Sequence, residues 1–313
     1  MSIGIRAAAV DRKKGFVLNG EPIWIQGANR HQQFPYIGNA ASDNAQFRDA
    51  LKLKEAGFNF VRLAHYPQSP AFLDACDRVG LLVVEPVPGW QFCNEGQFKE
   101  VALQNIRDMI RRDRNHPCVA FWEVSLNETG DTAETNWLNW RGATDEFFRE
   151  CHLTAKAEHP GCLTSGDTLG RKNPQYVGFD IPHPICDGFD ITKEFMPDKL
   201  FFTREYGDFD FGGNYSTTRQ VRGNGEKAMR LSAWNFQHSL NKIRASGDSM
   251  GAAIWVGVDY NRGYYPCVPL CTSGVFDTFR LPKYSREFFA SQISLQKGNP
   301  VIFIASYWSE REI

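Results

Sequence analysis

Cys118-Val119-Ala120-Phe121-Trp122-Glu123-Val124-Ser125-Leu126-Asn127-Glu128 is an apolar run that ends on an acid, and Phe201-Phe202-Thr203-Arg204-Glu205-Tyr206-Gly207 repeats the pattern later in the chain. Each reads as a buried strand that delivers a glutamate at its C-terminal edge. Buried runs of this kind belong to parallel sheets covered on both faces. Strands of a parallel barrel all open their C-terminal edges onto one mouth, where side chains from distant parts of the chain can meet.

The rest of the sequence supplies the alternation such a barrel needs. Pro22-Ile23-Trp24-Ile25-Gln26-Gly27 is the first strand signal. A helix follows from about Asp43, where Asp43 and Gln46 have capping-box spacing and Gly57 closes the end. The strand Asn59–His65 comes next, and Ser69-Pro70 opens a helix with a capping residue and a first-turn proline. Leu81–Glu85 is a short strand, and a helix from about Glu100 to Arg112 stops at Asn115-His116-Pro117. After Glu128 the pattern gives a helix over about Thr132–His159, a strand Cys162–Gly166 and a poorly periodic stretch, 168–200. Met229, Ala233, Phe236, Leu240 and Ile243 form a helical stripe. Gly251–Val258 is the last strong strand, and Pro282–Gln292 reads as the closing helix.

Strand–helix alternation argues for a parallel sheet, and this many units in one domain for a closed (β/α)8 barrel over residues 21–296. Glu205 follows Glu128 by 77 residues. Three strand–helix units in that span average about 26 residues, near the ~31 of an eight-unit, 250-residue barrel, which puts the two acids on strands 4 and 7. Residues 1–20 and 297–313 look different. The first reads as terminal strands of an absent immunoglobulin-like domain or linker, and the second as the start of a following β domain or a tail.

Composition narrows the function. The chain has 313 residues, 42% hydrophobic and 13% aromatic, enough for a large core. With 35 Lys and Arg against 36 Asp and Glu, the formal net charge is -1 and no long basic run exists. Nucleic acid and anionic membrane surfaces therefore find no electrostatic footprint. No apolar stretch reaches the roughly 18–20 residues needed to span a bilayer. Met1-Ser2-Ile3-Gly4-Ile5-Arg6 lacks the apolar centre of a signal peptide, and the compartment stays open. The eight cysteines are scattered without paired spacing, and buried thiols are expected over disulfides or a metal cluster.

Two carboxylates facing across one pocket are the minimal equipment for cutting a glycosidic bond. The surrounding motifs sharpen that reading. Gly27-Ala28-Asn29-Arg30-His31, Asn59 through Pro67, Arg112–Pro117 leading to Asn127-Glu128, Glu205-Tyr206-Gly207 and Ile254-Trp255 resemble glycoside hydrolase family 2. That family holds β-galactosidases, β-glucuronidases and β-mannosidases. Within it, Arg204–Asp208 and Phe279–Ser285 look most like the bacterial β-galactosidase-like branch.

The resemblance implies retaining hydrolysis of terminal β-galactosides, with Glu205 as nucleophile and Glu128 as general acid/base. Arg62 or Arg204 is expected to favour the charge of Glu205. Asn127 would hold the sugar 2-hydroxyl and Trp255 would stack on the pyranose. Arg30, His31, Arg62, His65 and Tyr206 complete the expected substrate contacts. Glu123 lies five residues before Glu128, so strand alternation puts it on the opposite face, as a structural residue. Some family members bind magnesium through Glu-x-His after strand 3. Here that place reads Glu85-Pro86-Val87-Pro88-Gly89-Trp90, so neither a metal nor a cofactor is expected. The partner is a β-linked glycoside, with flanking domains or a second copy as further contacts. Rival readings are a β-glucuronidase, a β-mannosidase and an inactive or non-catalytic carbohydrate-binding barrel.

Overall fold

The computed structural model describes residues 4–88, 96–125, 144–166, 174–183, 196–208, 218–262, 270–297 and 300–306. The chain opens with a small antiparallel sheet of β1 (Ala8–Asp11), β2 (Gly15–Leu18) and β3 (Glu21–Ile23). Eight parallel strands follow: β4 (Ile25–Arg30), β5 (Phe60–Leu63), β6 (Leu82–Pro86), β7 (Val119–Glu123), β8 (Thr164–Gly166), β9 (Ile181–Pro182), β10 (Phe201–Tyr206) and β11 (Ser249–Ile254). Their order in the sheet is β10-β11-β4-β5-β6-β7-β8-β9, so the last two strands pair back onto the first. The ring all but closes, because β9 lies alongside β10 and Arg204 Nη1 donates to the His183 carbonyl across the seam at 3.0 Å. The chain is thus the (β/α)8 barrel that the alternation predicts. A short hairpin, β12 (Tyr260–Asn261) and β13 (Leu270–Cys271), follows the last barrel strand.

Helices α1 (Asp43–Glu55), α2 (Pro70–Val79), α3 (Gln97–Asp113), α4 (Asp145–Glu158), α5 (Pro174–Val177), α6 (Gly225–Ala245) and α7 (Tyr284–Lys297) clothe the sheet. Their apolar faces are built from residues such as Phe72, Cys76, Ile106, Phe148, Phe236 and Phe289, which pack on the outward side chains of the strands. Proline at the first turn of α2 costs no hydrogen bond there. Gly80 closes that helix in the left-handed conformation, φ 73°. At α1 the cap is Ser42, whose Oγ accepts from Ala45 N, and not the expected Asp43; Gln46 spends its side chain on Arg30 instead. Ser69 makes no side-chain cap.

Two boundaries differ from expectation for topological reasons. The stretch Pro22–Gly27 is divided between β3, which pairs antiparallel with β2, and β4, which pairs with β5 and β11. The sixth barrel strand is only Ile181–Pro182, too short to leave a periodic signal, and is held by its register against Ser165 and Gly166. The helix expected over Thr132–His159 is described as α4, and its N-terminal part lies outside the described residues.

The barrel interior changes character along its axis. At the N-terminal end Phe16, reaching in from β2, packs with Ile25, Phe60, Phe121, Phe202 and Met250. Phe16 is fully buried, worth about 1.5–3 kcal/mol for a side chain of this size. The β1–β3 sheet therefore plugs the bottom of the barrel. Residues 300–306, expected to be β-like, form no strand, and Ile302 is 91% exposed. At the C-terminal end the inward residues are polar or charged: Asn29, Arg62, Glu123, Ser125 and Arg204, all buried, with Glu205 beside them.

Candidate active site

Glu205 owes its direction to an irregularity in β10. Thr203 pairs with Ala252 and Tyr206 with Ile254, so three steps on β10 face two on β11. Such a bulge re-aims side chains that strict alternation would send to opposite faces. Arg204 and Glu205 both turn to the mouth. Tyr206 turns outward, 2% exposed, and packs edge-on against Phe236.

Arg62 on β5 is the centre of the site. Its Nη1 donates to Glu205 Oε1 at 2.7 Å and to Asn29 Oδ1 at 2.9 Å. Its Nε and Nη2 grip Glu123 at 2.7 and 2.6 Å, and Nη2 also lies 3.3 Å from His65 Nδ1. Five donors meet five acceptors, the full capacity of a guanidinium. Asn29 is itself fixed, because its amide donates to the carbonyls of Arg204 and Ile254, which leaves Oδ1 to accept. Glu205 is 15% exposed, whereas Arg62 and Glu123 are wholly buried. Arg204 Nε lies 4.0 Å from the Glu205 carboxylate, so the two cations expected to support Glu205 both flank it.

Histidines and aromatics form the wall. The His65 Nε2 is 3.9 Å from Glu205 Oε1. Burial, reinforced by the Arg62 charge, pushes the His65 imidazole down to about 3. Its Nδ1 faces a guanidinium that can only donate, so Nδ1 accepts and Nε2 carries the proton. That N–H points at the carboxylate side of the mouth. Burial likewise holds His31 and His183 well below the usual imidazole range. His65 stacks on Trp255, and His31 on Tyr260 with centroids 4.0 Å apart. Behind them Asp208 takes a two-bond grip from Arg219 and a third bond from Arg262, whose Nε lies 3.2 Å from the Tyr260 hydroxyl.

The structure thus brings together His31, Arg62, His65, Glu205 and Trp255. Glu128 and Asn127 lie outside the described residues. Arg30 does not reach the mouth. It is buried on the outer face of β4, paired with Asp49 at 2.8 Å, bonded to Gln46 and Gln68 and lying over the Phe72 ring. Its neighbour Asn29 points inward, and adjacent residues on a strand face opposite ways. Tyr206 is turned away for the reason given. Glu123, expected on the face opposite Glu128 as a structural residue, points into the barrel and holds Arg62. Glu123 follows the inward-facing Phe121 by two residues and the outward-facing Trp122 by one, so alternation along β7 turns it inward, while Glu128, the reference for the expected face, lies outside the described residues. Asn29, His183, Asp208 and Tyr260 also belong to the constellation without having been singled out. Asn29 and Asp208 carried a signal, their places within the quoted motifs, and His183 and Tyr260 carried none.

Glu85 lies on the outer side of β6, against Arg112 and Asp113, where burial and the neighbouring Asp113 push it well above the usual carboxylate range. Asp77, His116 and Cys118 converge, but Asp77 already bonds His116 Nδ1 and the Cys118 N–H, and the thiol lies 3.5 Å from the Leu73 carbonyl. Cys76, Cys118, Cys151, Cys162 and Cys271 are free and buried, as expected of core thiols. Among the described residues no helix is long and apolar enough to cross a membrane.

A sequence profile described as "Glycosyl hydrolases family 2, TIM barrel domain" matches residues 9–146. A beta-galactosidase of Thermoanaerobacter pseudethanolicus is 34% identical over 309 residues, 97% of this chain and 39% of its own length. One from Thermoanaerobacterium thermosulfurigenes is 33% identical over 319 residues, 97% of this chain and 41% of its own. The chain therefore spans about two fifths of the curated relatives it matches. Among solved structures, a beta-glucuronidase of Bacteroides uniformis superposes with a TM-score of 0.77, covering 98% of this chain and 39% of that one at 23% identity, a likeness of fold.

Proposed function

We propose, for a chain that belongs to glycosyl hydrolase family 2 and carries its TIM barrel domain, that it hydrolyses terminal β-galactosides with retention of anomeric configuration. The observation that carries this reading is Glu205, partly exposed at the floor of the mouth and flanked by Arg62 and Arg204. Glu205 Oε1 is occupied by Arg62, which leaves Oε2 to face the sugar. Oε2 attacks the anomeric carbon as the bond to the aglycone oxygen breaks. Glu128 gives its proton to that oxygen. Glu128 then takes a proton from water, which attacks the anomeric carbon and frees Glu205.

The neighbours have defined tasks in this scheme. Asn127 holds the 2-hydroxyl, a contact that strengthens as positive charge grows on the ring. The protonated His65 Nε2 and the His31 ring supply polar edges to sugar hydroxyls, and Trp255 closes the apolar side. Galactosides are favoured over other β-glycosides by the 34% and 33% identity to two beta-galactosidases along nearly the whole chain.

A panel of nitrophenyl β-glycosides, assayed on this chain and on Glu205→Gln, tests the proposal. The galactoside should turn over fastest, and the variant should lose about 10³-fold or more. Preference for the glucuronide or mannoside, or a variant that keeps its activity, would overturn it.

A further inference from the structure

We propose that Glu123 is a positioning residue for the nucleophile: its carboxylate, fully buried beneath Arg62, aims the guanidinium at Glu205 and divides the arginine's charge between two acids. The inference rests on the reading of Glu205 as nucleophile.

Three observations carry it. The first is geometric. Glu123 binds Nε and Nη2 of Arg62, the edge away from Glu205, through two bonds of 2.7 and 2.6 Å. A two-point grip on a planar group fixes its rotation as well as its position. With Asn29 on Nη1, the remaining Nη1 hydrogen has one direction left, and Glu205 Oε1 stands there at 2.7 Å. The second is electrostatic. Glu123 faces Arg62 from β5, Arg204 and Glu205 from β10, and the neutral ring of His183, whose Nε2 is 3.6 Å from Oε1. Without Glu123, Glu205 would feel both guanidiniums with one fewer anion to balance them. A carboxylate so over-stabilised is a weaker nucleophile.

The third is energetic. Arg62 and Glu123 are both wholly buried. A buried ion pair is often no more stable than apolar side chains of the same volume. Stability alone is therefore a poor reason for a carboxylate in this layer, directly above Phe121 and Phe202. Aiming Arg62 is a sufficient one.

The test is covalent trapping with 2-deoxy-2-fluoro-β-galactosyl fluoride, following the labelling rate from pH 4.5 to 8 and the labelled peptide by mass. Wild type should be labelled on Glu205. Glu123→Gln should be labelled on the same residue about 10- to 100-fold more slowly, as for a reactive group displaced by an ångström or less. Its acid limb should move to lower pH, because a negative charge beside Glu205 is gone. Binding of a thiogalactoside should stay within about twofold, since Glu123 does not touch the sugar. A purely structural Glu123 would lower thermal stability and leave rate and pH limb where they are, and that result would overturn the inference. Should Glu123→Gln not fold, Glu123→Asp decides. It keeps the charge but withdraws the grip, so labelling should slow with the acid limb unmoved, and a wild-type rate would refute the positioning role. Wild type labelled elsewhere than Glu205 would remove the nucleophile assignment, and this inference with it.

Discussion

The imidazole of His65 lies on the indole of Trp255 with ring centroids 5.1 Å apart and planes 15° from parallel. The pair joins the segments that follow β5 and β11, with His65 Nε2 3.9 Å from Glu205 Oε1, so the wall of the mouth packs against its floor. Burial and the nearby Arg62 charge keep His65 neutral in this stack.

That neutrality has a consequence for stability. His65 titrates at about 3 in the fold and at about 6.5 when unfolded. Its contribution is complete above about pH 6.5 and is lost as pH falls toward the folded value, because the unfolded chain binds the extra proton. Replacing it in His65→Asn should flatten the fall in unfolding free energy between pH 6.5 and 4.5 by about 1.4 kcal/mol per pH unit. Urea denaturation at four pH values measures the difference. Parallel curves for the two proteins would mean that His65 is protonated in the fold.

Arg30 and Tyr206 separate local motif from spatial site. Arg30→Met strands Asp49, although Arg280 still holds that carboxylate at 3.0 Å. A loss of about 3 kcal/mol is expected, the low end for a broken buried pair. At temperatures where the variant is folded, kcat/KM for a nitrophenyl galactoside should stay within about threefold of wild type, and so should that of Tyr206→Phe. A hundredfold fall in either would place that side chain at the sugar.

Much of the fold and part of the site were legible in the sequence, and the gaps have physical causes. Phe72, Cys76, Phe236 and Leu240 announced their helix faces by spacing alone. Glu205 was legible because it ends a buried run. Face and partner were not legible where they depend on ladder register: a bulge in β10 turns Glu205 inward and Tyr206 outward. Phe16 gave no local hint that it closes the barrel floor, since its partners lie on five separate strands. Motif membership named Asn29 and Arg30 together, but the pleat separates them.

Gly207 should prove intolerant. It sits two residues after Glu205 at φ +99°, and a β-carbon there would stand 2.4 Å from the Phe236 ring. Gly207→Ala combines backbone strain with overpacking, each costing about 1–3 kcal/mol, and displaces Glu205 as the ring gives way. Thermal melting and kcat/KM should fall together. A variant as stable and active as wild type would show that the turn after β10 is looser than described.

Glu128 should reveal itself by leaving group. In Glu128→Ala, dinitrophenyl galactoside should turn over almost normally in the first step, since a good leaving group needs no proton. Methyl galactoside should lose the 10²–10⁴-fold that general acid catalysis typically supplies. Equal losses on both substrates would assign Glu128 another task.

The most direct measurement is the configuration of the sugar first released. Proton NMR of nitrophenyl β-galactoside hydrolysis, recorded within minutes of adding enzyme and before mutarotation, distinguishes the two anomers. The double displacement at Glu205 predicts that β-galactose appears first and α-galactose only later. Initial release of α-galactose would mean a single displacement by water, and Glu205 would not be the nucleophile.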